Sequence, residues 1–151
     1  MPTTTINRVP LNTTQAVNSR IEAATGARLR YCAGNPLRIE RRLRELDREW
    51  DIERVLETNA SVVAFLGLVL GSAVNRRWLF VPAAATAFLF QHAVHGWCPP
   101  LPILRRLGVR TSREIEVERV ALKILRGDFE ERPAPLRSRR LARDIIEIAR
   151  A

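Results

Sequence analysis

Two stretches of this chain carry no charge at all. Residues 60–74, ASVVAFLGLVLGSAV, and residues 78–98, WLFVPAAATAFLFQHAVHGWC, contain none of its 25 lysines and arginines and none of its 16 aspartates and glutamates. A helix packed on a water-soluble core keeps a polar face toward solvent, and these segments have no such face. They predict helices surrounded by apolar material on every side, the condition met in a bilayer. Only NRR, residues 75–77, separates them. That is room for a tight turn, so the expectation is a two-helix transmembrane hairpin with spans at 59–75 and 78–98.

Length supports the pattern. Fifteen uncharged residues cover only about 22 Å of helix, but counted from Arg54 to Arg76 the first element reaches about 33 Å, enough for the roughly 30 Å hydrocarbon core. Arginines at each end can extend to the headgroups. The second run is bracketed by Trp78 and Trp97, about 28 Å apart along a helix, as the aromatic belts of a spanning helix require. Arg76, Arg77, Arg105 and Arg106 complete the expected interface set. Within the first run, Ala60, Ala64, Gly67 and Gly71 recur at helical spacing, and small residues so placed let another helix approach closely.

The remaining charge sets orientation. The turn holds two arginines, residues 38–57 hold six, and residues 99–131 hold seven basic groups. The positive-inside rule then places both termini in the cytoplasm, and the location expected is a bacterial inner membrane. The net charge of +9 calls for an anionic partner, for which anionic headgroups suffice; GC-rich coding is itself a sufficient cause of arginine excess. No nucleic acid is expected, because no recognition motif accompanies the charge. The start, MPTTTINRVPLNTTQ, lacks the apolar core of a signal peptide. Cys32 and Cys98 are too few for a disulfide scaffold and are expected as free thiols.

The flanks read as helices, making the fold class all-α. Residues 1–34 are expected as a tail followed by a short helix that Gly26 ends. Residues 35–58 form an approach helix, with Asn35 as N-cap, Pro36 at its first position, and a stripe of Ile39, Leu43, Leu46 and Trp50. This helix is expected to feed into the first span without a break. After the hairpin, residues 99–131 contain a helix with Thr111 and Glu114 as a capping box and Gly127 as its stop. Its apolar face is Ile115, Val117, Val120, Ile124 and Leu125. Residues 132–151 hold a basic amphipathic helix.

One segment carries chemistry-bearing side chains. His92, His95 and Cys98 recur every three residues and would span about 120° of one helix face, with the prolines at 99 and 100 ending that helix. Soft N and S ligands suit zinc or copper but call for a fourth ligand. Haem or pigment ligation needs only His92 and His95 in an apolar bundle, while the absence of CxxCH excludes covalent haem. Cys98 near Arg105 and Arg106 could carry thiol or sulfur chemistry. The plainer account is that the histidines hydrogen-bond within the bundle and Cys98 packs as a small hydrophobe. No phosphate loop, GxSxG or HExxH is present.

The segment HGWCPPLPILRRLGVRT, residues 95–111, resembles the end of the YgaP-like inner-membrane hairpin family, most of whose members have no assigned function. The residues that carry the resemblance are Gly96, Trp97, Cys98 and Pro99, then Leu107, Gly108, Val109 and Thr111. RELDREWDIERVLETNA, residues 44–60, is similar to the approach helix of longer members, so the likeness extends over residues 36–129. Some members fuse the hairpin to a rhodanese sulfurtransferase domain. This chain has no such module, so the resemblance implies the hairpin and its tendency to self-associate, without sulfurtransferase activity. The function expected is a non-catalytic membrane interaction module without cofactor, self-associating or serving as an accessory subunit of a larger membrane complex. The alternatives are a thiol-, haem-, pigment- or metal-using membrane protein built on His92, His95 and Cys98, and a soluble basic bundle that binds nucleic acid.

Overall fold

The computed structural model describes residues 7–128 and residue 147; the expected C-terminal helix lies outside these. Among the described residues the chain is all-helical, with seven α-helices, one 3₁₀ turn and no strand. It divides into two compact units that cut across the linear segments: Met1–Val17 with Trp50–Val109, and Asn18–Glu49 with Arg110–Ala151.

The second unit is built mainly from α2 (Gln15–Cys32), α3 (Pro36–Leu46) and α7 (Ser112–Arg126). Gly26 does not stop α2. It is buried inside a helix that runs on to Cys32, because the apolar register continues through Leu29, and the chain turns instead at Gly34 with φ +77°. In α3 the Asn35 side chain accepts from the Arg38 N–H at 3.2 Å, with Pro36 at N1. Thr111 and Glu114 form the reciprocal capping box of α7, which ends on Gly127 with φ +88°. Leu29, Cys32, Ile39, Leu43 and Leu46 pack with Ile115, Val117, Ala121 and Leu122 as one core, with Ile124 and Leu125 at its margin.

The continuous approach helix is overturned. α3 ends at Leu46 and α4 begins afresh at Ile52, with Asp51 as its N-cap accepting from the Arg54 N–H at 2.8 Å. A carboxylate at an N-cap satisfies an orphan donor and favours the positive end of the helix dipole, which makes residues 47–51 a stop and a restart. Trp50, expected on the buried stripe, is 45% exposed and lies beneath the Arg54 guanidinium at 4.3 Å.

The first unit contains α1 (Arg8–Leu11), α4 (Ile52–Ala73), a 3₁₀ turn (Arg76–Leu79), α5 (Phe80–His95) and α6 (Leu101–Arg106). The expected tail is therefore helical over its last residues. NRR is a tight turn, with the Asn75 side chain accepting from the Arg77 N–H at 2.9 Å. α4 and α5 pack against each other through the glycines: a Cβ at Gly67 would fall 2.5 Å from Pro82 Cδ, and one at Gly71 2.5 Å from Leu79 Cδ2. The small-residue stripe of GLVLG is thus filled by the 3₁₀ turn and the next helix of the same chain. The core proper is small, comprising Val9, Ile52, Leu56, Cys98 and Leu101 with Leu104 and Val109 beside it.

By length and composition α4 can cross a membrane, with a mean hydropathy of 1.6 over an apolar stretch of which 17% is buried. α5 is shorter, at 16 residues, and follows directly on the 3₁₀ turn.

Candidate functional site

α5 ends earlier than the prolines suggest. Gly96 adopts the left-handed conformation with φ +72°, and its N–H bonds the His92 carbonyl at 2.8 Å. Two further carbonyls of that last turn are capped from a distance. Arg8 Nη1 donates to Ala93 O at 2.5 Å, and Asn12 Nδ2 donates to His95 O at 3.0 Å. A cation at a helix C-terminus also opposes the negative end of its dipole. Gly96 is required here twice over, since a Cβ would lie 2.6 Å from Arg8 Cβ as well as being strained by the positive φ. Trp97 and Cys98 fall beyond the helix, so His92, His95 and Cys98 do not share a helix face.

The two histidines part company. His95 is exposed, whereas His92 is 4% exposed. His92 lines a cleft of about 310 Å³ whose walls are Leu56, Asn59, Ala60 and Val63 from α4, Ala85, Phe88 and Leu89 from α5, and Cys98, Pro100 and Leu104 below. Both ring nitrogens of His92 are buried without a hydrogen-bond partner among the described residues. Cys98, 2% exposed, belongs to the core. Among the described residues no three of His, Cys, Asp and Glu converge as a metal-binding group.

Arg105, expected among the headgroup anchors, turns inward. It is 1% exposed, with Nε 3.3 Å from Thr13 Oγ1 and Nη1 3.1 Å from Val109 O, so it ties chain to chain. Arg76, Arg77, Arg106, Trp78 and Trp97 remain on the surface. Of the small residues, Gly67 and Gly71 are buried in the helix pair, while Ala60 borders the cleft. Ala64 is half-buried. Of the motif residues, Gly108 turns the chain after α6 with φ +89°, and Pro99 is exposed.

The second unit holds a different buried polar group that the sequence reading missed. Glu118 is fully buried and receives Arg28 Nε at 3.0 Å, Arg42 Nε at 2.8 Å and Arg110 Nη1. Arg110 also grips Glu49 with two bonds of 2.7 Å. Burial alone would raise the Glu118 carboxyl, but hydrogen bonds from Arg42 and Arg28 and the charge of Arg110 hold it down at about 2. Cys32 nearby is pushed up by burial and then by Glu118, the reverse of what a reactive thiol needs. One signal in the sequence marks the site: Glu118 stands between Ile115 and Leu122 on the apolar face of α7, where an acid is out of place unless paired. Its lone pairs are taken up by arginines, so the cluster clamps α2, α3 and α7 and offers nothing to a substrate.

No family model matches the chain, and no curated protein and no solved structure matches it.

Proposed function

We propose that this protein is a non-catalytic module of the bacterial inner membrane, in which α4 and the segment from Arg76 to His95 cross the bilayer as a hairpin with both termini in the cytoplasm. On this reading it belongs with the YgaP-like hairpin proteins and serves as an interaction module, self-associating or accessory to a larger membrane complex. The observation that carries it is the outward face of the helix pair. Phe65 is 66% exposed, Phe80 78% and Phe90 71%, with Leu66, Leu68 and Val94 also above half. In water so large an apolar surface is untenable, and lipid or another protein must cover it. The glycines are consumed inside the hairpin, so association between copies would use these outer faces.

The test has two stages. Membranes washed with carbonate should retain the protein, and a membrane-impermeant maleimide should label Arg77→Cys in intact cells but Ser112→Cys only after permeabilisation. Release by carbonate, or labelling of Ser112→Cys from outside, rejects the topology. Gentle solubilisation and native mass spectrometry should then show an oligomer or a partner subunit; a bare monomer rejects the interaction role.

A further inference from the structure

We propose that the cleft beside His92 binds a neutral, membrane-soluble molecule of quinone type, with an apolar body and a carbonyl oxygen that accepts a hydrogen bond from His92. The inference rests on the membrane reading for how such a ligand arrives.

A neutral imidazole has one donor and one acceptor, and both nitrogens of His92 are buried here without partners among the described residues. Leaving such groups unmet costs stability, and phenylalanine would fill the same place without that cost. A histidine held this way is suited to a partner that enters the cleft it lines.

Size and charge define the partner. About 310 Å³ lies at the lower end of small-molecule sites, which run from about 300 to 1,000 Å³, and suits one ring with substituents. Val63 and Phe88, each 44% exposed, stand where an apolar tail would leave toward lipid. None of the residues lining the cleft carries a formal charge. Arg8 and Glu53, opposite in sign and within electrostatic reach of each other, are not among them. The Arg8 charge reaches His92 as well as Glu53, but Arg8 does not line the cleft, so a carboxylate head would find no cation in direct contact there, which points to a neutral oxygen. Asn59 lines the cleft from α4 and His92 from α5, so donors come from two helices, and a ring with two carbonyls uses both. Phe88 supplies an aromatic wall.

The experiment is titration of the detergent-solubilised full chain with decylubiquinone, followed by calorimetry and by the ¹⁵N signals of its two histidines. Saturable binding of one molecule per chain is expected, with the His92 nitrogens shifting and those of His95 still. His92→Phe should weaken binding about tenfold, the worth of one hydrogen bond. Ala60→Leu should abolish it by filling the cleft while leaving the helical signal intact, and it decides the matter if His92→Phe does not fold. Dodecylbenzene, with no oxygen, and lauric acid, with a charged head, should compete poorly. Non-saturable uptake, unchanged binding by Ala60→Leu, an unmoved His92 signal or equal competition by either control overturns the proposal. Failure here leaves carbonate retention untouched, so the two readings fail separately.

Discussion

The two units bury their polar groups in opposite ways. In the unit formed by Asn18–Glu49 and Arg110–Ala151, Glu118 is wholly enclosed and bonded by three arginines, inside a core of leucines and isoleucines. In the unit containing α4 and α5, His92 is 4% exposed and its ring nitrogens have no hydrogen-bond partner among the described residues, while phenylalanines face outward and glycines face inward. The first pattern is that of a domain assembled by water: apolar area is removed from solvent and every buried charge is matched. The second fits the membrane reading proposed above, under which the surroundings are already apolar and close backbone approach replaces burial as the source of cohesion.

The largest effect should come from breaking the matched cluster. Glu118→Ala leaves three guanidinium groups facing a void and should cost roughly 3–5 kcal/mol, the range for removing one partner of a buried ion pair. The chain supplies its own reporters, because Trp50, Trp78 and Trp97 all lie in one unit and the single tyrosine, Tyr31, lies in the other. In denaturant, the Tyr31 near-ultraviolet signal should move to lower midpoint with Glu118→Ala. A shift of the tryptophan transition alone would mean that the clamp serves the wrong unit.

The same carboxylate predicts a pH dependence. Its folded value, about 2, lies below the ordinary 4.5, so it binds protons more tightly in the unfolded chain. The stability it contributes is fully present above pH 4.5 and is lost as pH falls through about 2. Glu118→Gln should flatten the Tyr31-monitored stability profile over that window relative to the unmodified chain. Parallel profiles would show that other carboxylates govern acid unfolding.

The helix pair offers a graded version of the comparison. At Gly67 an added methyl meets the rigid Pro82 ring at 2.5 Å and its backbone nitrogen at 3.2 Å; at Gly71 it meets the rotatable Leu79 side chain, Cδ2 at 2.5 Å and Cγ at 2.8 Å, and the Leu79 backbone nitrogen at 3.3 Å. Gly67→Ala should therefore cost about 1–3 kcal/mol, as overpacking does, with Gly71→Ala costing less. Thermal scans in detergent followed by tryptophan fluorescence give the order. Equal costs at both positions would mean that the helices separate as one rigid contact.

The uncharged runs made the helix pair legible, and Asn35, Thr111 and Glu114 made the caps legible, because each signal is local and its geometry is set by neighbouring residues. Asp51 was hidden among alternating acids and arginines, where an N-cap looks like one more ion-pair partner. Gly26 misled because glycine stops a helix only when no packing carries the chain onward, and Leu29 and Cys32 supply that packing. The division into two units could not be read from consecutive segments, since both cores join residues from distant stretches. The cleft was half legible: His92 drew attention, but the helix end that parts Cys98 from the histidines follows from Gly96 and the contacts of Arg8 and Asn12, which no spacing rule contains.

The smallest effect on folding, and the sharpest test of the contrast, belongs to His92→Phe. If cohesion in this unit came from satisfied polar contacts, losing the imidazole would destabilise it. With neither nitrogen bonded among the described residues, replacement by a ring of similar shape removes two desolvated groups and keeps a ring in the wall that Leu56 and Leu89 also line. The tryptophan-monitored midpoint in detergent should stay level or rise, by up to about 1 kcal/mol, whereas Glu118→Gln, the matching swap in the other unit, should lower the Tyr31 midpoint. A fall of similar size for both variants would mean that His92 is held by bonds as Glu118 is, and that the two units are stabilised alike.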